Sequence, residues 1–237
     1  KKIKVGIVGI SFGMEFVPIY QRHPNVESVA VADYNRSLLA TCAEKFHIPA
    51  EDCYTNLDDM LKDEEINFVY VASPNSLHFE HALKALQAGK NVICEKPFTS
   101  TVEEFDRLVK EAQDRHLYLF EAIVTAHMPN YLRMKEELPR LGTIRMVQCN
   151  FSQYSSRYDK FLQGETPNVF KPEFSGGALA DINIYNLHYV IGFFGKPKTV
   201  HYYANKHANG IDTSGVVLMQ YDGFQAVCVG CKDTRSE

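Results

Sequence analysis

The sequence predicts an α/β protein in two parts: a doubly wound parallel sheet, then an α+β domain whose sheet is largely antiparallel. In the first half, short apolar runs alternate with helical patterns, as in a parallel sheet covered on both faces. After about Thr125, apolar and polar residues alternate instead, as in strands with one exposed face. This change of pattern predicts two domains, residues 1–122 and 123–237.

The first domain contains five predicted strands and four predicted helices. The strands are residues 3–9, 28–33, 67–72, 91–94 and 117–122. The helices are residues 12–22, 37–46, 76–88 and 102–115. The third helix is followed by Gly89, the residue type that most often ends a helix.

The second domain is predicted to contain two longer helices and four strands. Residues 129–138 and 178–194 have helical patterns, and Gly195 and Pro197 end the second of these. Residues 143–154 alternate like a half-exposed antiparallel strand, as do residues 200–203. Residues 214–221 and 225–230 form a predicted hairpin through Asp222-Gly223, a strong turn signal. The chain stops soon after a strand, so we expect this domain to be incomplete at its C-terminus.

Composition excludes several classes of protein. The formal net charge of −4 over 237 residues gives no reason to expect a nucleic-acid or anionic-membrane partner. No apolar run approaches the roughly 20 residues that span a bilayer, and we expect a cytoplasmic protein. The six cysteines are scattered, and the Cys228–Cys231 pair has no second pair to complete a zinc site. We therefore interpret these cysteines as free thiols and expect no metal.

A glycine turn follows the first predicted strand. Gly9 takes the first position of a GxGxxG motif, while Ser11 and Met14 replace the second and third glycines, with Gly13 one residue early. Such a turn places a dinucleotide pyrophosphate at a helix N-terminus, as in a Rossmann domain. Because the match is imperfect, a bare glycine turn in an α/β protein remains an alternative.

An acidic residue ends the second predicted strand. Asp33 stands a little over twenty residues after the glycine turn, where a carboxylate can accept hydrogen bonds from the ribose hydroxyls of NAD. The nearby Arg36 could accommodate the 2′-phosphate of NADP, so NAD is preferred and NADP remains possible. A helix N-terminal carboxylate is the alternative for Asp33.

The tripeptide Glu95-Lys96-Pro97 places a lysine directly after an apolar strand. Ligands of open α/β sheets bind outside this end of the strands, where an ammonium group can orient or protonate a substrate oxygen. An ion pair with Glu95 or Asp181 is the alternative for Lys96.

These residues belong to a longer run that resembles the Gfo/Idh/MocA oxidoreductases. Their signature is a strand ending in a Ser/Thr-Pro-Asn-like turn, a helix with a histidine, and then "AGKHV" and "EKP". The run from Val71 to Pro97 keeps this spacing. From the resemblance we expect a cis bond before Pro97. Two interpretations of His78 are open: it supports the cofactor loop, or it is a structural histidine. We favour a structural role close to the cofactor.

A second family element is a glycine-rich entry into a helix, residues 175–188. Asp181, Tyr185 and His188 lie at i, i+4 and i+7, so they share one helix face. A solvated face is the alternative. The chain departs from many relatives in carrying Asn183 instead of glycine and His188 instead of asparagine. It also lacks the Trp-Thr-Arg of one branch of the family near Thr125.

The resemblance implies an NAD(P)-dependent dehydrogenase or reductase that acts on a sugar, polyol or related hydroxy/keto compound. The implied catalytic residues are Lys96, Asp181 and Tyr185. The expected cofactor-binding residues are Gly9, Ser11, Phe12, Gly13, Asp33, Tyr34, Arg36, Ser73, Pro74, Asn75, His78, Glu95 and Lys96. The expected substrate contacts are Thr125, Tyr154 and His188.

Two other functions remain open at this point: an NAD-dependent glycosidase on the same scaffold, and a non-catalytic dinucleotide-binding sensor. Retention of Lys96, Asp181 and Tyr185 favours an enzyme. The resemblance also implies a homodimer or homotetramer formed through the sheet of the second domain.

Overall fold

A computed structural model of the chain describes residues 2–235. The chain forms two compact units, Lys1–Ala122 and Ile123–Glu237. Within residues 2–235, no helix is both long enough and apolar enough to cross a membrane.

The first unit is built on six parallel strands in the order β3-β2-β1-β4-β5-β6. The strands are β1 (Ile3–Val8), β2 (Val26–Ala32), β3 (Cys53–Tyr54), β4 (Ile66–Val71), β5 (Asn91–Glu95) and β6 (Leu119–Ala122). The helices are α1 (Ile10–Gly13), α2 (Val17–Arg22), α3 (Arg36–Phe46), α4 (Leu57–Met60), α5 (His78–Gln87) and α6 (Val102–Asp114). The predicted doubly wound parallel sheet is confirmed.

Three details of the first unit differ from the sequence-based expectation, and one of them is the four-residue helix α4, which was not predicted. The strand β3 was missed because it is only two residues long and carries no periodic signal. The predicted helix over residues 12–22 is divided into α1, a tighter 3₁₀ turn at Met14–Phe16, and α2. Pro18 lies in the first turn of α2, where its missing N–H costs no hydrogen bond.

Apolar clusters cover both faces of the parallel sheet. One cluster includes Val69, Leu86 and Leu108, and the other includes Ile7 and Val31. The strand residues in these clusters are almost fully buried, which explains why their sequence shows continuous apolar runs instead of alternation.

The second unit contains a four-stranded sheet in the order β7-β10-β9-β8. These strands are β7 (Met146–Ser152), β8 (Thr199–Lys206), β9 (Asp212–Gln220) and β10 (Gln225–Cys231). The hairpin predicted through Asp222-Gly223 joins β9 and β10, which pair antiparallel, and Gly223 has a φ of 80°. The strand predicted at residues 143–154 is wrong in direction, since β7 pairs with β10 in parallel. An alternation of apolar and polar residues indicates that one face of a strand is exposed, but it does not indicate whether the neighbouring strand is parallel or antiparallel.

Of the helices of the second unit, the last one packs against this sheet. The helices are α7 (Pro129–Glu137), α8 (Tyr158–Leu162) and α9 (Ile184–Phe194), and a π-helical turn at Leu179–Asn183 leads directly into α9. The apolar core includes Val190 of α9 with Val217, Met219 and Cys228 of the sheet.

The two cysteines with CxxC spacing do not face each other. Cys228 is fully buried and belongs to the core beneath α9, whereas Cys231, three residues further along the strand, points to the opposite face because side chains alternate. All six cysteines are free thiols. In the parallel register Cys228 lies beside Cys149, and a hydrogen bond with Cys228 lowers the pKa of the Cys149 thiol.

Candidate active-site residues in the two units

The glycine turn lies at the point where the strand order reverses, between β1 and β4. Gly9 has a φ of 89°, and a Cβ on it would lie 2.5 Å from the backbone nitrogen of Ser73. Its own N–H donates to the carbonyl of Ala32 at 3.1 Å. Only glycine fits this approach, and such a switch point is where doubly wound sheets bind ligands.

Gly13 packs the first helical turn directly against β1. A Cβ at this position would lie 2.6 Å from Cγ2 of Ile7. In a dinucleotide turn the third glycine serves close packing between helix and strand, and here Gly13 has that role one residue early. The imperfect motif therefore keeps two of the three roles of its glycines, the tight turn and the close packing, while Ser11 stands where the second glycine approaches the pyrophosphate.

Asp33 connects the end of β2 to the glycine turn. One carboxylate oxygen accepts a hydrogen bond from the N–H of Ile10 at 2.8 Å, and the other accepts from the N–H of Asn35 at 2.9 Å. The residue is 9% exposed, whereas Tyr34 is 90% exposed and Arg36, at the start of α3, is also exposed. Asp33 thus holds the glycine turn in place, which is a structural role that the sequence did not show.

The turn after β4 is held by His78. This histidine is 1% exposed, with Nδ1 2.7 Å from the carbonyl oxygen of Pro97 and Nε2 2.9 Å from that of Ser73. Burial lowers the pKa of His78, and the two carbonyl oxygens oppose this effect. His78 thus joins the Ser73–Asn75 turn to the Lys96-Pro97 turn, which agrees with the predicted structural role. The peptide bond between Lys96 and Pro97 is cis, as expected.

Glu95 is turned into the protein. It is 6% exposed; one carboxylate oxygen accepts a hydrogen bond from the hydroxyl of Tyr70, and the other accepts from the N–H of Lys96 at 3.2 Å. Burial raises the pKa of Glu95, while the bond from Tyr70 and the charge of Lys96 oppose the rise. These contacts favour a supporting role for Glu95 over direct contact with a cofactor.

Lys96 itself is half-buried. It directly follows the last residue of β5, and its backbone is fixed by Glu95 and by the cis bond to Pro97. The sequence-based placement of a lysine at the carboxyl edge of the parallel sheet therefore corresponds to the structure.

In the second unit, the glycine-rich entry into the π-helical turn is clamped by Asp212. A Cβ on Gly177, which has a φ of 102°, would lie 1.9 Å from Oδ1 of Asp212. Oδ2 of Asp212 accepts hydrogen bonds from the N–H of Leu179 at 2.7 Å and from the hydroxyl of Tyr202 at 2.6 Å. Asp212 and Tyr202 were missed in the sequence because both lie in strands that appear only half-apolar.

Two asparagines fix the next turn to the sheet. Asn183 is fully buried, and its Nδ2 donates to the carbonyl of Cys228 at 3.1 Å. Asn186 donates to the carbonyl of Val229 at 2.9 Å. A Cβ on Gly230 would lie 2.5 Å from Cβ of Asn183, so the departure to asparagine is matched by a glycine on β10.

Asp181 forms an ion pair with Lys232, a residue for which the sequence predicted no role. The side chain of Lys232 is 8% exposed and that of Asp181 is 28% exposed. The signal was present, because Lys232 follows an apolar strand directly, as Lys96 does.

The remaining predicted site residues of this unit are half-buried: Thr125, Tyr154, Tyr185 and His188. The ring of Tyr185 lies 5.4 Å from that of Phe151. The hydroxyl of Tyr154 donates to Asp159 at 2.6 Å. Their catalytic and substrate assignments stay predictions.

The parallel sheet with a glycine turn at its switch point defines a dinucleotide-binding fold. Residues 3–123 match the oxidoreductase family with an NAD-binding Rossmann fold, and residues 132–237 match the GFO/IDH/MocA C-terminal domain. The chain belongs to the Gfo/Idh/MocA family of oxidoreductases, which confirms the resemblance.

Two curated relatives illustrate the similarity. The oxidoreductase YgjR of Escherichia coli (strain K12) is 41% identical over 202 residues, covering 85% of this chain and 62% of YgjR. The scyllo-inositol 2-dehydrogenase (NADP(+)) IolU of Bacillus subtilis (strain 168) is 38% identical over 187 residues, covering 79% of this chain and 57% of IolU. The chain thus spans 62% and 57% of the lengths of these two relatives.

The fold is also that of solved structures. GenD2 from gentamicin A biosynthesis, crystallised in complex with NAD, superposes with a TM-score of 0.87 at 24% identity, covering 100% of this chain and 68% of GenD2.

Proposed function

We propose that this protein is an NAD(P)-dependent oxidoreductase that transfers a hydride between the nicotinamide and a sugar, polyol or related hydroxy/keto compound. The observation that carries the proposal is the glycine turn at the switch point of the sheet, together with Lys96 after β5, in a chain of this family. The activity of the relative IolU, a scyllo-inositol 2-dehydrogenase, supports a polyol-like substrate.

The residues of the first unit fit a dinucleotide. The first-turn amides of Ser11 and Phe12 follow the tight turn at Gly9 and are suited to a pyrophosphate. Each oxygen of the Asp33 carboxylate accepts a hydrogen bond from a backbone N–H, and a carboxylate oxygen has a second lone pair that can accept from a ribose hydroxyl. Tyr34 and Arg36 are exposed next to it and would meet the adenosine end. The bound cofactor supplies the hydride chemistry.

The protein must then hold the substrate oxygen and move one proton. We assign the first task to the ammonium group of Lys96. Tyr185 exchanges the proton, with Asp181 and His188 on the same helix face to orient the substrate hydroxyls. An unperturbed phenol has a pKa of about 10, so Tyr185 needs a nearby cation to act as a base at neutral pH.

The Lys96→Met variant tests this assignment. We expect turnover to fall at least ~100-fold, because the charge on the substrate oxygen is no longer stabilised. Binding of NAD(H), followed by fluorescence titration, should change only a few-fold. Lys110→Met is a matched control, since its exposed side chain forms an ion pair with Asp114 on the surface of α6. Near-normal turnover in Lys96→Met would contradict the assignment.

A substrate panel separates this function from its two alternatives. Purified full-length protein is mixed with NAD(P)(H) and with polyols, sugars and glycosides, while nicotinamide absorbance and free sugar are both followed. We expect a change in absorbance with at least one polyol or sugar. Release of free sugar without accumulation of NADH would identify a glycosidase, and cofactor binding without any turnover would identify a sensor.

We also propose that the protein forms homo-oligomers in the cytoplasm through the open face of the second sheet. We define this open face as the side of the sheet away from α9, with the apolar residues Met146, Tyr203, Val216, Leu218, Val227 and Val229. Met146 is 56% exposed and Tyr203 is 62% exposed, and exposed apolar residues interspersed with polar ones such as Gln148 and His201 in the same rows fit a protein interface. The six free thiols fit a reducing compartment.

A further inference from the structure

Lys232 has an unusual environment for a lysine. Lys232 is only 6% exposed. Its Nζ contacts Asp181 Oδ2 and lies 5.7 Å from the ring centroid of Phe170. Its backbone is fixed on both sides, because its N–H donates to the carbonyl of Thr213 and its carbonyl accepts from the N–H of Ser155, both at 2.8 Å. The ammonium group is therefore held in one place.

The ion pair is asymmetric. Lys232 is inaccessible, whereas 28% of the Asp181 side chain remains exposed. Burying a charged pair does not stabilise a fold by itself, because desolvation offsets much of the attraction. An apolar residue would fill the position of Lys232 beside Phe170 at lower cost. A buried cation paired with a partly exposed carboxylate is the arrangement expected where the protonation and orientation of that carboxylate matter.

The helix places this carboxylate next to a residue of the proposed reaction. Asp181 lies in the π-helical turn and Tyr185 follows four residues later on the same face. The opposite face of the same segment is fixed to β10 through Asn183 and Asn186, so the backbone that carries Asp181 is anchored to the sheet.

We propose that Lys232 is a positioning residue that keeps Asp181 ionised and aimed, and that offsets its negative charge toward Tyr185. This inference rests on the proposed function, in which Asp181 and Tyr185 serve the reaction. Without the ammonium group, Asp181 would take up a proton at higher pH, and its uncompensated charge would oppose formation of a tyrosinate.

Other ionisable groups surround the pair and bear on its pH dependence. The elements packed around it carry Cys149 on β7, Asp212 on β9 and Cys228 and Cys231 on β10, together with Tyr158, Tyr185, His188 and Asp233. Burial raises the pKa of Tyr158, and the hydrogen bond that the Cys228 thiol donates to Cys149, together with burial, raises the pKa of Cys228. Cationic side chains lie nearby as well, among them Lys171 directly after Phe170 and Arg235 over the ring of Tyr154, and of the groups named here Lys232 is the one that forms the ion pair with Asp181.

The test compares Lys232→Met, Lys232→Arg, Asp181→Asn and the double variant Asp181→Asn/Lys232→Met in the full-length protein. The first readout is a carbon-13 NMR titration of aspartate carboxyls, with Asp181 assigned by its loss in Asp181→Asn. We expect the midpoint of Asp181 to move up by about one pH unit in Lys232→Met and to stay near the wild-type value in Lys232→Arg. An unchanged midpoint in Lys232→Met would overturn the inference, whether or not a substrate is known.

The second readout is the pH profile of kcat/KM for alcohol oxidation. We expect the half-maximal pH to rise by about one unit in Lys232→Met, with KM for the cofactor unchanged, and to be restored in Lys232→Arg. The double variant should be no worse than Asp181→Asn, since Lys232 acts through Asp181. A merely structural lysine would lower stability without moving the profile, which would overturn the inference. Wild-type activity in Asp181→Asn would instead contradict the role of Asp181 in the proposed function.

Discussion

Among single residues, Tyr70 and Glu95 form a buried pair that links the helical segment after the glycine turn to Lys96. The ring of Tyr70 packs 4.9 Å from Phe16 and 5.7 Å from Tyr20, and its hydroxyl donates to Glu95, whose other oxygen accepts from the N–H of Lys96. Burial and the charge of Glu95 raise the pKa of Tyr20 to about 12. The position of Lys96 thus depends on the hydrogen bond from Tyr70 to Glu95, and Tyr70 lies outside the run from Val71 to Pro97 that resembles the family.

The Tyr70→Phe variant should lose stability in a pH-dependent way. Burial raises the pKa of Glu95, so the folded state binds a proton that the unfolded chain has released, and the contribution of Glu95 to the free energy of unfolding falls as pH rises through the folded pKa. Removing the hydroxyl raises this pKa further. We expect the destabilisation to be about 1 kcal/mol larger at pH 8 than at pH 5, measured by denaturant unfolding.

Tyr54→Phe is the matched control. Its hydroxyl donates at 3.1 Å to Asp63. Burial alone would raise the pKa of Asp63, but hydrogen bonds, first that from Lys4, outweigh it and the pKa is lowered. Asp63 therefore stays ionised from pH 5 to pH 8, and the loss of stability should be the same at both. Equal pH dependence in the two variants would contradict the role of Glu95.

At the scale of elements, the turn between β1 and α1 is built by backbone contacts. Gly9 approaches the backbone of Ser73, and the N–H of Ile10 is held by Asp33. Three strand ends, those of β1, β2 and β4, are thereby locked together at the carboxyl edge of the sheet. This explains how the turn keeps its geometry although Ser11 and Met14 depart from the glycine motif.

Gly9→Ala should therefore be far more harmful than a substitution at another glycine with positive φ. We expect at least about 3 kcal/mol of destabilisation and loss of cofactor binding, since a Cβ 2.5 Å from Ser73 N forces the strand ends apart. Gly89→Ala, at a φ of 75° with nothing within 4 Å of its Cβ, should cost only about 1 kcal/mol. Thermal unfolding and NAD(H) titration of both variants check this, and similar losses in the two would refute it.

For the whole molecule, the open face of the second sheet is the feature that bears on assembly. Its apolar residues come from all four strands, and Leu218 near its centre is 37% exposed. The opposite face is covered by α9 and forms the core, so the two faces have clearly different environments within this unit.

Leu218→Lys should dissociate the proposed oligomer, because a charge on a buried apolar interface has no partner. Size-exclusion chromatography with light scattering should show a smaller particle than the wild type. Val102→Lys, at a position that is 69% exposed on α6, should leave the size unchanged. If Leu218→Lys keeps the wild-type mass, the open face is not the interface.

The sequence was most informative where local chemistry determines structure. The positions of Lys96, Gly9 and Asp181 on their elements could be predicted because each stands at a fixed offset from a strand or helix with a clear period, and their functional roles stay predictions. The direction of β7, by contrast, was predicted wrongly, because an alternating pattern is the same in parallel and antiparallel pairing. The two-residue strand β3 has too few residues to show any period.

The amino-acid sequence by itself determined the family, the parallel sheet and the lysine at its carboxyl edge, since these depend on periodicity and short spacings. Only the tertiary structure decided which distant groups contact the predicted site residues and the turns that carry them. Lys232 forms an ion pair with Asp181, Asp212 accepts a hydrogen bond from Leu179, Tyr70 donates one to Glu95, and His78 lies between two turns. These partners are separated by up to 51 residues, and buried hydrogen bonds and ion pairs form between whichever groups the packed elements bring together.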